Sequence, residues 1–127
     1  MVVHIILYIS NQKISTEFYR SVLEIAPSLD VPGMTEFELP GGTMLGLMPE
    51  KGIKSLLGET IPDPARGHSI PRAELYLEVD DASGYHKRVL DNGGKECSPL
   101  LVRDWGSKVA YSMDLDGHIL AFSQKVQ

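Results

Sequence analysis

The segment Ser112-Met113-Asp114-Leu115-Asp116-Gly117-His118-Ile119-Leu120-Ala121-Phe122 constrains the fold more than any other part of the chain. Its turn residues Asp114, Asp116 and Gly117 separate two apolar runs, which predicts a β-hairpin turning at Asp116-Gly117. The stretch Phe37 to Leu47 has the same shape, with Gly42 in the place of Gly117 and an apolar strand following in step. A chain of 127 residues that closes two segments in the same way is predicted to be one unit used twice, the two half-size units sharing one core.

The correspondence extends beyond the hairpins. Placing His4 on Glu74 matches Ile5 with Leu75, Leu7 with Leu77, Ile9 with Val79 and Asn11 with Asp81, and Val22-Leu23 falls on Val89-Leu90 after a shift that a loop absorbs. The first half reads as a strand Val2 to Ile9, then a helix from Lys13 to Ile25 with Ile14, Phe18, Val22 and Ile25 along one face. Strands Thr35 to Leu39 and Thr43 to Met48 follow. From Pro49 to Pro71, prolines and glycines replace periodic apolar residues, so this stretch reads as a covering loop with a helical turn near Ile53 to Leu57. Ala73 to Val79 alternates strictly, Leu75, Leu77 and Val79 against Glu74, Tyr76 and Glu78. Asp80 and Asp81 cap a helix from Ala82 to Asp91 that Asn92-Gly93-Gly94 ends, and strands Glu96 to Val102, Lys108 to Met113 and His118 to Ser123 complete the order. The predicted organisation is a single domain, with module one at 1–48, a linking loop at 49–72 and module two at 73–127.

Charge narrows the partners. Twelve basic against seventeen acidic residues, a net charge of −5, leave no basic cluster to neutralise a run of phosphates, so nucleic acid is not the expected partner. The apolar start Val2 to Ile9 is short and contains His4, which fits neither a signal peptide nor a membrane span. The expectation is a cytoplasmic protein. Cys97 is the only cysteine; it has no thiol to pair with and reads as a small, partly buried hydrophobe.

His4-Ile5-Ile6-Leu7-Tyr8-Ile9-Ser10-Asn11 followed by Ser15-Thr16-Glu17-Phe18-Tyr19 resembles the start of the glyoxalase, bleomycin-resistance and extradiol-dioxygenase (vicinal oxygen chelate) superfamily. Glu74 to Asp81, Gly93-Gly94, Pro99, Trp105-Gly106 and Asp114-Leu115-Asp116-Gly117 are similar to that superfamily's second module. The resemblance implies an α+β fold of two tandem βαβββ modules, a curled mixed sheet with helices outside, a homodimer, and a ligand in the concave sheet. It also implies four metal-ligand positions, on the first and last strand of each module, which in this chain are His4, Gly46, Glu74 and Ala121. Only His4 and Glu74 can bind a metal there. Three or more protein ligands hold a divalent ion well, so His4 and Glu74 alone would make a weak site.

Strand alternation then gives the expected ligand cavity: Ile6, Tyr8, Met44, Met48, Tyr76, Glu78, Ile119 and Ala121, beside His4 and Glu74, with Trp105 either at the sheet edge or as an aromatic wall. The leading expectation is a protein that binds a small, partly apolar molecule without a complete metal site and with no cofactor. The alternative is a metal-dependent lyase of the lactoylglutathione-lyase kind, or a dioxygenase. It would hold Zn, Ni, Mn or Fe on His4 and Glu74 with a displaced carboxylate such as Glu38 or Glu50 or with the partner chain, and Glu74 would be ligand or catalytic base. A third expectation is a domain that only mediates association. His86 reads as solvated, His68 as a loop residue without a partner, and His118 as facing the helices or an edge.

Overall fold

Asn11 and Asp81, matched by the repeat, do the same work in the folded chain. The Asn11 side chain accepts a hydrogen bond from the Ile14 N–H and the Asp81 side chain from the Gly84 N–H, each satisfying an otherwise unpaired donor at a helix start. The computed structural model describes residues 1–126 and divides into two units, Met1–His68 and the chain from Ser69 onward.

In the first unit, β1 (His4–Ile9) and α1 (Gln12–Leu23) are followed by β2 (Leu29–Val31), β3 (Met34–Glu38), β4 (Met44–Pro49) and α2 (Glu50–Leu57). The sheet order is β1-β4-β3-β2, with β1 parallel to β4 and the remaining pairs antiparallel. In the second unit, β5 (Glu74–Glu78), α3 (Ala82–Asp91), β6 (Lys95–Val102), β7 (Ser107–Met113) and β8 (Ile119–Lys125) form a sheet of order β5-β8-β7-β6, again with only its first pair parallel. Each unit is thus a βαβββ module, and the fold class is α+β. No helix among the described residues is long and apolar enough to cross a membrane.

Apolar side chains on the helix-facing side form the core of each unit. Leu7, Ile9, Phe37, Leu45 and Leu47 are buried, as are Phe18, Tyr19 and Val22 of α1. In the second unit Leu120 and Phe122 are buried, as is Val89 of α3, and Tyr85 of α3 stacks on Phe122 at 5.3 Å. The opposite face of each sheet carries polar and aromatic side chains, with Val109, Ala121 and Ser123 of the second sheet buried on it as well.

Several boundaries differ from expectation. α1 stops at Leu23 rather than Ile25 because Glu24 adopts the left-handed conformation, φ 57°, and its N–H closes on the Arg20 carbonyl. β2 gave no sequence signal, since all three of its residues are exposed and show no alternation. The helical turn expected near Ile53 is a helix that starts directly after β4. Cys97 is exposed, not partly buried.

Candidate functional site

On the first sheet, His4, Ile6 and Tyr8 of β1 lie beside Met44, Gly46 and Met48 of β4, and Glu36 and Glu38 of β3 pair with Gly46 and Met44. This places six of the predicted cavity or metal positions on the face away from α1. The carboxylate hydrogen-bonded to His4 is Glu36: His4 Nδ1 donates to Glu36 Oε2 at 3.0 Å. A side chain at Gly46 would meet Ile6 Cγ1 at 3.1 Å and Met34 Sδ at 3.4 Å, so Ile6 leans over the position where the superfamily carries a metal ligand.

On the second sheet, the face away from α3 holds Glu74, Tyr76 and Glu78 of β5, Ile119, Ala121 and Ser123 of β8, and Val109, Tyr111 and Met113 of β7. A chain of hydroxyls crosses it. The Trp105 indole N–H donates to the Tyr76 hydroxyl at 2.9 Å, and that hydroxyl donates to Ser123 Oγ at 2.9 Å. Trp105 therefore belongs to this face although it is 55% exposed, and Tyr76 is 40% exposed. Below them Ala121 and Val109 are fully buried and Ser123 nearly so. A recess of about 410 Å³ lined by Glu78, Val79, Asp80, Ser123, Gln124 and Lys125 opens at one end of the same strands.

Arg103 frames the same end on the β6–β7 side. It donates to Ser98 Oγ at 2.7 Å and to the Val109 carbonyl at 2.8 Å, with its guanidinium carbon 5.2 Å from the centre of the Tyr111 ring. Desolvation raises the Tyr111 phenol above its ordinary pKa, the Glu74 carboxylate and Tyr76 add to this, and Arg103 opposes it. Tyr111 is a protonated donor at neutral pH. Counting outward from the hairpin turn would have found it, since Met113 opposes Ile119 and Tyr111 opposes Ala121.

The predicted metal positions do not fit a divalent ion at the superfamily's four places. Two of them carry no donor, and His4 and Glu74 enter no trio of His, Cys, Asp or Glu ligand atoms lying within 4.8 Å of one another among the described residues.

Two histidines, His86 and His68, stand in surroundings other than those predicted, and a third, His118, is buried in the hairpin. His86 is buried at 7% exposure and bonds Glu96 Oε2 at 2.9 Å, because α3 packs on β6. His118 lies in the hairpin, 2% exposed: its Nδ1 donates to Asp114 Oδ2 at 2.8 Å and its Nε2 accepts from Arg72 at 3.0 Å. His68, expected to be without a partner, has a ring nitrogen within 4.8 Å of a Glu50 carboxylate oxygen.

A family model described as a glyoxalase-like domain matches residues 2–127. No curated protein matches the sequence. Among solved structures, a glyoxalase-related enzyme from Fulvimarina pelagi superposes with a TM-score of 0.83 at 22% identity, covering 98% of this chain and 88% of that one. A glyoxalase/bleomycin resistance protein/dioxygenase from Nocardioides gives 0.78 at 21% identity, covering 100% and 84%. A glyoxalase/bleomycin resistance protein/dioxygenase family enzyme from Burkholderia phytofirmans gives 0.78 at 13% identity, covering 97% of each chain. At these identities the likeness is one of fold.

Proposed function

We propose, from the premise that this chain belongs to the glyoxalase-like domain family, that it binds a small, partly apolar molecule against the Tyr76–Ser123 face of its second unit. The observation that carries the reading is the Trp105–Tyr76–Ser123 hydrogen-bond chain above buried Ala121 and Val109. Aromatic and aliphatic walls with a few oriented polar groups are what a site for a small organic molecule requires. Tyr111, protonated at neutral pH, supplies a donor for a ligand carbonyl or carboxylate, and Glu74 and Glu78 supply acceptors.

The metal-dependent lyase and dioxygenase readings lack a comparable feature, since the residues at the superfamily's ligand positions do not fit the ion. A homodimer goes with the main reading: Val3, Ile5 and Ile6 at and before the edge strand β1 are exposed apolar surface for a second copy. Sedimentation at micromolar concentration tests it.

Trp105, the only tryptophan, makes the binding test direct. Titration with 8-anilinonaphthalene-1-sulfonate and with a panel of small aromatic acids is expected to quench Trp105 emission saturably at one equivalent. Tyr76→Phe should weaken that binding tenfold or more, and Leu56→Ala, an exposed change on α2, should leave it unaltered. Binding that ignores Tyr76→Phe and leaves Trp105 emission unmoved would refute the reading.

A further inference from the structure

We propose that Glu50 and His68 form a binding site for one divalent transition cation, held within the first unit and separate from the four superfamily positions. Glu50 is 5% exposed, and its Oε2 is buried with no hydrogen-bond partner. An ionised carboxylate oxygen removed from water is strongly disfavoured unless a donor or a cation compensates it. Within the first unit a group able to share a cation is His68, with a ring nitrogen within 4.8 Å of a Glu50 carboxylate oxygen. Oxygen and nitrogen ligands on one zinc-sized ion each sit about 2.0–2.2 Å from it, hence about 3.4 Å apart in a tetrahedron, so a small side-chain adjustment closes the pair.

The local fold brings the two together. Glu50 opens α2 immediately after β4, at the end of a strand whose position the sheet fixes. The chain then returns: Lys54 Nζ on α2 donates to the Gly58 carbonyl at 2.8 Å and the Ile61 carbonyl at 2.9 Å. Asp63 caps a single-turn helix, Pro64–Gly67, which packs against α2, and the His68 N–H ends that turn on the Ala65 carbonyl at 3.1 Å. His68 is exposed, which gives the ion a path in and leaves its remaining positions to water. One carboxylate and one imidazole suit Zn, Co, Ni or Mn over Ca or Mg.

The test uses the full chain without a polyhistidine tag, stripped with chelator and titrated calorimetrically with zinc chloride and cobalt chloride. One equivalent should bind. Glu50→Gln and His68→Ala should each weaken binding at least tenfold. Because Glu50→Gln is nearly isosteric and removes an uncompensated charge, the metal-free variant should melt no lower than metal-free wild type, and its melting should ignore added zinc. Wild type that binds no metal, variants that bind as wild type does, or binding lost instead in His4→Ala would each overturn the proposal. So would a metal-free Glu50→Gln protein that melts lower than wild type, since its carboxylate would then already have a compensating partner. None of these outcomes bears on the Tyr76–Ser123 reading.

Discussion

Gly42 and Gly117 hold the same turn position in the two modules, at φ of 95° and 99°. They differ in what surrounds them. A Cβ on Gly42 meets nothing within 4 Å, whereas one on Gly117 lands 2.6 Å from Ser69 Cα and 2.7 Å from Ser69 C. Gly42→Ala should therefore cost only the left-handed backbone conformation, about 1–2 kcal/mol. Gly117→Ala adds the displacement of the backbone at Ser69, an overpacking cost of about 1–3 kcal/mol. It also weakens the Ser69 N–H to Asp116 carbonyl bond of 2.9 Å, a net loss of about 1 kcal/mol. For a chain of this length each kcal/mol lowers the melting temperature by roughly 3–5 °C, which gives about 5 °C for Gly42→Ala and about 15 °C for Gly117→Ala. Gly106→Ala, at φ 88° with open space around it and in the same unit as Gly117, is the second control and should behave like Gly42→Ala. Differential scanning calorimetry of the three variants decides the matter. Equal losses would refute the idea that Gly117 is required by the close approach of Ser69 and not by its φ alone.

Tyr76→Phe removes both the donor to Ser123 Oγ and the acceptor for the Trp105 indole. Leaving the buried Ser123 hydroxyl unpaired should cost about 1–3 kcal/mol in urea unfolding, with a shift in Trp105 emission. Tyr111 has a raised pKa in the folded chain, so below pH 10 folded and unfolded forms both keep the proton and the group adds no pH dependence. Above that the unfolded chain loses its proton first, and stability falls as pH rises towards the folded value; alkaline unfolding curves should lose this component in Tyr111→Phe. Asp114 accepts from the His118 ring and from the Asp116 and His118 N–H groups, all buried, so Asp114→Ala should cost at least about 3 kcal/mol of unfolding free energy.

What the sequence disclosed were features set by near neighbours. The Asn11 and Asp81 caps, the Gly42 and Gly117 turns and the alternation of Glu74 to Val79 each depend on residues within a few positions of one another. The features it missed or misread depend on register and packing. Glu36 and Glu38 share one face of β3, and only the pairing of Glu36 with Gly46, fixed by the Leu39–Thr43 turn, settles which carboxylate serves His4. His86 reads as a solvated helix residue until α3 is laid on β6 and Glu96 arrives beside it. The Arg72 guanidinium reaches His118 because the chain near Ser69 folds onto the hairpin, a contact that no periodicity encodes.

The two modules also show why function follows less readily from the repeat than fold does. Their helix-facing positions match in kind: Leu45 and Leu120, and Leu47 and Phe122, are all buried. A sheet must cover its helix with apolar side chains, so both copies face the same demand. The opposite faces diverge at nearly every matched pair, His4 against Glu74, Ile6 against Tyr76, Tyr8 against Glu78 and Met48 against Ser123. That face does not pack on the module's own helix, and each copy carries its own chemistry, an imidazole–carboxylate pair on one and a hydroxyl–indole chain on the other. Gly46 and Ala121 share the loss of a ligating side chain, yet for different physical effects: Ile6 overhangs the first, and the second is fully buried. A carboxylate placed at either would have to displace its cover before it met an ion. Neither position offers a donor, so on the second sheet the polar groups left to meet a ligand are those flanking Ala121, namely Tyr76, Ser123 and Tyr111.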